Sequence, residues 1–128
     1  MVNAIILEWP RTECWPNRSK GKHWTVLGKA RKKQRQDAEL HARSVGLKLP
    51  EGPVVAVLSV HPPTRRRYDL DNLLAAMKAA IDGLVTAADR DDSDIIEVRV
   101  RKCSVASKSL GGYVAVGFEP DDGSSQAW

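Results

Sequence analysis

Apolar residues follow two different rhythms along this chain, and each rhythm predicts a class of element. Val54-Val55-Ala56-Val57-Leu58-Ser59-Val60 is an apolar run rich in β-branched valine and interrupted only by Ser59, the pattern of an interior strand. From Ile96 to Arg101 apolar and charged residues alternate, so residues 95–101 read as a half-buried strand. Residues 3–9, closed by Pro10, and residues 112–118 are the other two candidate strands. The helical rhythm is clearest in Leu70, Leu73, Leu74, Met77, Ile81, Leu84 and Val85, spaced i, i+3, i+4, i+7, i+11, i+14 and i+15. It predicts a helix over about 72–87 with one core-facing stripe. A second helix is expected over 24–45, with Leu27, Ala30, Ala38, Leu40 and Val45 as a patchy apolar face and Gly46 past its end. The predicted order is β-α-β-α-β-β. The expected fold is a single α+β domain in which two helices cover a mixed sheet of about four strands. The domain is expected over residues 1–119, with 120–128 as a loose polar tail.

Length and composition agree with one globular domain: 128 residues, 42% hydrophobic and 28% charged. No apolar run approaches the roughly 20 residues that span a bilayer. The N-terminal Met-Val-Asn-Ala-Ile-Ile-Leu-Glu lacks the basic start and the apolar length of a signal peptide. A cytoplasmic protein without membrane partners is expected. Cys14 and Cys103 lie far apart without metal-ligand spacing, so they read as ordinary thiols of a reducing compartment.

Charge changes the picture more. Residues 1–68 carry 14 Lys/Arg against 5 Asp/Glu, whereas residues 69–128 carry 6 against 11. A basic half joined to an acidic half points to a nucleic-acid partner and to carboxylates gathered for chemistry. The basic residues are concentrated in Arg65-Arg66-Arg67, in the loop after the central strand, and in Lys29, Arg31, Lys32, Lys33 and Arg35 on the first helix. Immediately after the arginines come Asp69 and Asp71. In extended backbone, residues two apart share a face about 6–7 Å apart, where two carboxylates could hold a hard cation such as Mg²⁺. The simpler role for the same residues is capping the helix that follows. Further along that helix, Lys78 and Asp82 return to within about 20° of Asp71 around the axis. Lys78 could lean back toward a phosphate near Asp71, or pair with Asp82 one turn on. The acidic loop Asp89-Arg90-Asp91-Asp92-Ser93-Asp94 is either a solvated turn or a set of like charges awaiting a cation. Trp15, Trp24 and Tyr68 are candidates either for stacking on unpaired bases or for ordinary packing.

Taken in order, Arg65-Arg66-Arg67-Tyr68-Asp69-Leu70-Asp71-Asn72-Leu73, then Lys78-Ala79-Ala80-Ile81-Asp82-Gly83-Leu84, then Asp91-Asp92-Ser93-Asp94-Ile95, resemble the RusA family of Holliday-junction resolvases. That family shows a basic run, a DxDN motif, a helical lysine, a D-[AG]-L turn and a DD pair before a strand. The likeness is concentrated in residues 65–102; Pro16-Asn17 and the basic helix agree more loosely with the family's opening. The chain departs from the family at Ala75, where many members place the lysine. The resemblance implies a Mg²⁺-dependent endodeoxyribonuclease, with Mn²⁺ as a substitute, that nicks four-way DNA symmetrically in recombination and repair. Asp69, Asp71 and Asp92 would be the catalytic, metal-holding carboxylates, with Lys78 beside them and Asp91 and Asp82 as further acidic residues. Arg65, Arg66, Arg67, Lys29, Lys32 and Lys33 would contact DNA. Two symmetric cuts imply a homodimer, and the family is dimeric. The expected setting is the cytoplasm of a bacterial or phage-infected cell. Two other readings stand beside this one: a non-catalytic module that binds branched DNA, and a metal-dependent nuclease acting on flaps or other branched substrates.

Overall fold

The computed structural model describes residues 2–16 and 24–122. Its elements are β1 (Ala4–Glu8), α1 (Trp24–Val45), β2 (Val54–His61), α2 (Leu70–Ala87), β3 (Ile95–Lys102) and β4 (Tyr113–Pro120), with short 3-10 turns at Thr12–Cys14 and Asp92–Asp94. The strands form one sheet in the order β1-β4-β2-β3. β4 runs antiparallel to both of its neighbours, whereas β2 and β3 are parallel. The α+β architecture and the element order are those expected from the pattern of the chain. β2 is interior, as its apolar run requires. Val54, Ala56, Leu58 and Val60 are fully buried and meet Leu73, Met77, Leu84 and Val85 of α2 in a single core.

The parallel β2–β3 pair fixes where the two ends of α2 lie. A strand joined to a parallel neighbour needs a crossover, and α2 supplies it. The start of α2 therefore lies at the sheet end where β2 finishes, and its end lies where β3 begins. Lys102, the last residue of β3, donates from Nζ to the carbonyl of Tyr68 at 2.8 Å, which fixes that end of the molecule. Eighteen residues of helix separate the two ends by about 27 Å.

Three expectations are corrected. Helix α2 starts at Leu70, two residues early, because Asp69 caps it. On α1, Leu40 is 72% exposed and Val45 is also exposed, whereas Ala38 and Ala42 are buried. The buried apolar contacts of α1 are thus made by alanines, beside Gln34, whose side-chain amide donates to the Ala76 carbonyl of α2 at 2.8 Å. Residues 119 and 120 belong to β4, paired with Val55 and Val54, and Asp121 N–H donates to the Pro53 carbonyl at 3.1 Å. The ordered body therefore continues past residue 119, because β4 keeps its partner to the start of β2. Positions 123–128 lie outside the described residues.

The face formed by Ala76, Ala80 and Gly83 is buried and packs on α1. A Cβ placed on Gly83 would stand 2.4 Å from the backbone oxygen of Arg35. These three small residues are thus used in packing within the chain, whereas Ala75 on the same helix is exposed.

Arg90 holds the turn before β2 to the loop before β3. Its guanidinium donates to Asp94 Oδ2 at 2.8 Å, the Pro50 carbonyl at 2.6 Å and the Gly52 carbonyl at 2.7 Å, and its side chain is only 21% exposed. Charge-assisted bonds in a partly buried setting are the stronger kind. Arg90→Ala is expected to cost about 2–3 kcal/mol, because two carbonyls and Asp94 lose their donor. A lowered urea midpoint with an unchanged slope would show it.

Candidate functional site

The basic loop and the start of α2 form one end of the molecule. Tyr68 ends the loop, and Asp69 sits at the N-cap in extended backbone, with φ −109° and ψ 152°. Its Oδ1 accepts from the Asn72 backbone N–H at 3.1 Å, and its Oδ2 accepts from the Asn72 side-chain amide at 3.2 Å. The capping role is therefore real. It does not exhaust the group, since an ionised carboxylate offers about four lone-pair positions. Asp71 is the second residue of the helix and is exposed. The shared face expected of two extended residues does not apply, because the helix begins between them. Both carboxylates instead stand where the free N–H groups of the first turn favour negative charge.

Lys78 does not lean back toward Asp71. Its Nζ lies 3.8 Å from Asp82 Oδ1, with 72% of the lysine side chain exposed. Such an i,i+4 pair contributes only a few tenths of a kcal/mol, so the lysine is easily drawn to a stronger anion.

The acidic loop lies at the opposite end of α2. Asp91 caps the Asp92–Asp94 turn, its side chain accepting from Ser93 N–H at 2.9 Å, and Asp94 closes a capping box by reaching back to Asp91 N–H. The Ser93 backbone bond, followed by bonds from the Ser93 side chain and Asp92, holds the Asp91 carboxyl below its ordinary value of 3.8. A depressed value means that this cap contributes at pH above 3.8 and is lost as pH falls through the lower folded value. Asp94 is paired with Arg90. Asp91 and Asp94 are thus engaged in holding the loop, while Asp92 is exposed on its surface.

Asp69 and Asp71 on the one hand, and Asp92 on the other, are not brought together within one chain. Among the described residues, no group of three or more His, Cys, Asp or Glu side chains is placed to hold a metal ion. A single chain therefore does not fit a three-carboxylate metal site, and the cause is the crossover topology that sends α2 the length of the sheet.

Arg65, Arg66 and Arg67 are exposed on the loop before Asp69. Lys29, Lys32 and Lys33 are exposed on α1, where Lys33 pairs with Asp37 at 3.1 Å. Arg35 is also exposed, and its guanidinium reaches across to α2 and donates to the Thr86 hydroxyl at 3.2 Å. Asn17 of the Pro16-Asn17 pair lies outside the described residues, as does the side chain of Trp24.

A cleft of about 600 Å³ opens beside Asp69, lined by Trp9, Trp15, Pro63, Arg66, Arg67 and Tyr68 among others. The Trp9 and Trp15 rings lie 5.8 Å apart at 36°, and Tyr68 meets Trp9 edge-on at 5.5 Å. Trp15 Nε1 donates to the Pro10 carbonyl at 3.2 Å, and Lys102 Nζ sits 4.5 Å from the centre of the Tyr68 ring. Burial, and secondarily the nearby Cys103, pushes the Tyr68 hydroxyl above its ordinary pKa. Cys14, just behind this wall, is buried, and burial raises its thiol pKa with help from Glu13. Both cysteines are free. Trp9 and Arg90 are the residues that sequence reasoning missed. An aromatic ring at a strand exit beside Pro10 was a usable signal for the first. The second had none, because its carbonyl partners lie about 40 residues away.

No protein-family model matches the chain. It is 40% identical over 95 residues to an uncharacterized protein of Xylella fastidiosa (strain Temecula1 / ATCC 700964), a match covering 71% of this chain and 61% of the relative. The chain thus spans about three-fifths of that relative's length. No helix among the described residues is long and apolar enough to cross a membrane.

Proposed function

We propose that this chain is a Mg²⁺-dependent endonuclease of four-way DNA, working as a homodimer in the manner of the RusA family that residues 65–102 resemble. The observation that supports it best is the meeting of three exposed arginines, the N-cap Asp69, the exposed first-turn Asp71 and an aromatic cleft at one end of the fold. Capping accounts for Asp69, but a second exposed carboxylate, Asp71, beside the arginines opposes phosphate binding rather than aiding it.

The separation of Asp92 from Asp69 and Asp71 gives the dimer a specific task. If two copies pair about a two-fold axis with their α2 helices antiparallel, the start of one helix meets the end of the other. Asp69 and Asp71 then face the partner's Asp92, and the same arrangement recurs at the second site. The surface available for such pairing is the edge strand β3, where Ile96 is 52% and Val98 is 42% exposed, beside the outer side of α2 with Ala75 and Lys78. Charge favours the same orientation, since the basic loop before Asp69 would meet the partner's acidic loop.

In such a site a bound Mg²⁺ would lower the pKa of water and offset charge on the scissile phosphate. The chain's own residues have separate tasks. Arg66 and Arg67 hold the phosphodiester backbone entering the site. Lys78 exchanges Asp82 for the phosphate and offsets charge that builds up during cleavage. The Asn72 bonds hold Asp69 in one orientation. Binding that depends on arginine–phosphate contacts falls steeply with salt.

The test is cleavage of a labelled four-way junction beside a linear duplex of the same sequence, with Mg²⁺ or EDTA. Paired symmetric nicks confined to the junction and abolished by EDTA are expected. Equal cutting of flaps and junctions would shift the reading to a general branched-DNA nuclease. Binding without any cutting would leave the non-catalytic module.

A further inference from the structure

Resting on the reading above, we infer that the cleft between Trp9, Trp15 and Tyr68 takes one unstacked nucleotide next to the phosphate that is cut. Four features of the cleft carry this. Its volume of about 600 Å³ lies within the roughly 300–1,000 Å³ of sites that enclose a small organic group. Its wall is aromatic, with tilted and edge-on rings rather than a closed stack, so a flat base can be received against a ring face. Its rim carries Arg66 and Arg67, whose guanidinium groups suit the phosphates on either side of such a base. Asp69 and Asn72, at the start of α2, complete the rim, so the sugar-phosphate of the received nucleotide lies beside the proposed cutting site.

The wall is also held in place before anything binds. Trp15 is pinned by its bond to the Pro10 carbonyl. Tyr68 is held by Lys102 at its carbonyl and over its ring. The Tyr68 hydroxyl is buried without a hydrogen-bond partner among the described residues. A rigid aromatic wall loses little freedom when a base stacks on it. A base still paired in a duplex cannot enter, because both of its faces are covered by neighbours. The cleft would therefore favour DNA in which a base near the cut is already unstacked, as at the centre of a branch. It offers a source of structure selectivity separate from the metal site.

The test uses junctions in which each nucleotide flanking the cut is replaced in turn by an abasic analogue. Binding is measured by fluorescence anisotropy in EDTA at fixed salt. One position is expected to weaken binding by about 5- to 150-fold, the range for loss of one stacked base. In Trp15→Leu, abasic and intact junctions should bind alike. As a second readout that needs no variant, 2-aminopurine at that position should lose emission when the protein binds. If every abasic junction binds as tightly as the intact one and 2-aminopurine emission does not fall, the inference is overturned. Metal-dependent junction cleavage with no abasic effect would overturn the cleft alone and leave the nuclease reading standing. Quenching of the base without cleavage would support the cleft and remove the nuclease.

Discussion

Replacing Gly83 by valine is expected to lower the melting temperature by about 10 °C or more. Gly83 lies inside α2, where glycine ordinarily costs up to about 1 kcal/mol relative to alanine. Here that cost accompanies a close approach of two helices. An added Cβ would sit 2.4 Å from the Arg35 carbonyl oxygen and 3.2 Å from the Glu39 backbone nitrogen. Neither atom can move without shifting α1. Valine adds two further methyl groups to the same gap. Overpacking of this kind costs about 3 kcal/mol, and each kcal/mol moves the midpoint of a domain this size by roughly 3–4 °C. Gly28 provides the control. It is also inside a helix, but a Cβ there meets nothing within 4 Å, so Gly28→Ala should stabilise by as much as about 1 kcal/mol. Thermal denaturation of the two variants separates glycine that permits close packing from glycine that merely weakens a helix. Equal stability of Gly83→Val and the parent would mean that α1 and α2 are not packed as described.

Asp71→Asn carries the larger expected effect on activity. Losing one carboxylate from the site should reduce Mg²⁺-dependent junction cleavage by at least about 10³-fold, the scale of several kcal/mol of lost charge stabilisation. The fold should hardly notice. Asp71 is exposed, and its interaction with the helix end contributes about 0.3–1 kcal/mol. Junction binding in EDTA should be retained or slightly tightened, since a negative charge beside phosphate has been removed. A quantitative cleavage time course, with binding measured in parallel, distinguishes this from loss of folding. Full activity in Asp71→Asn would return the residue to a purely structural role at the start of α2.

Much of the architecture was legible because α2 and β2 are extreme in pattern. Seven apolar residues on one helical stripe, and four valines with a leucine within the seven residues 54–60, allow little else. The limits of α1 were legible too, but its buried face was not. Its contacts are made by Ala38 and Ala42, and alanine carries almost no periodic signal, whereas the more hydrophobic Leu40 faces solvent. The capping of α2 by Asp69 was foreseen as one of two roles, and the structure shows that role in the bonds from Asn72. The distribution of the acidic residues was the hardest to read. Spacing along the chain places Asp92 only 21 positions after Asp71, and a shared cation looked natural. A helix converts those positions into distance, and the parallel pairing of β2 with β3 makes that distance the length of the sheet. No local pattern encodes it. For the same reason Arg90, whose partners include the Pro50 and Gly52 carbonyls, reads in sequence as one charge among many.

The most direct measurement for a site shared between two copies is a mixing experiment. Asp71→Asn and Asp92→Asn are prepared separately, shown to be folded, and assayed alone and after mixing under conditions that allow subunits to exchange. Each alone should be inactive, because every site contains the altered residue. In a mixed dimer both substitutions fall into one site, and the other site is intact. With random exchange about half of the dimers are mixed, so about a quarter of the sites should recover. Those dimers should nick the junction on one strand instead of making paired cuts. A mixture as inactive as its components, with exchange confirmed, would contradict a site built from Asp69 and Asp71 of one chain and Asp92 of another.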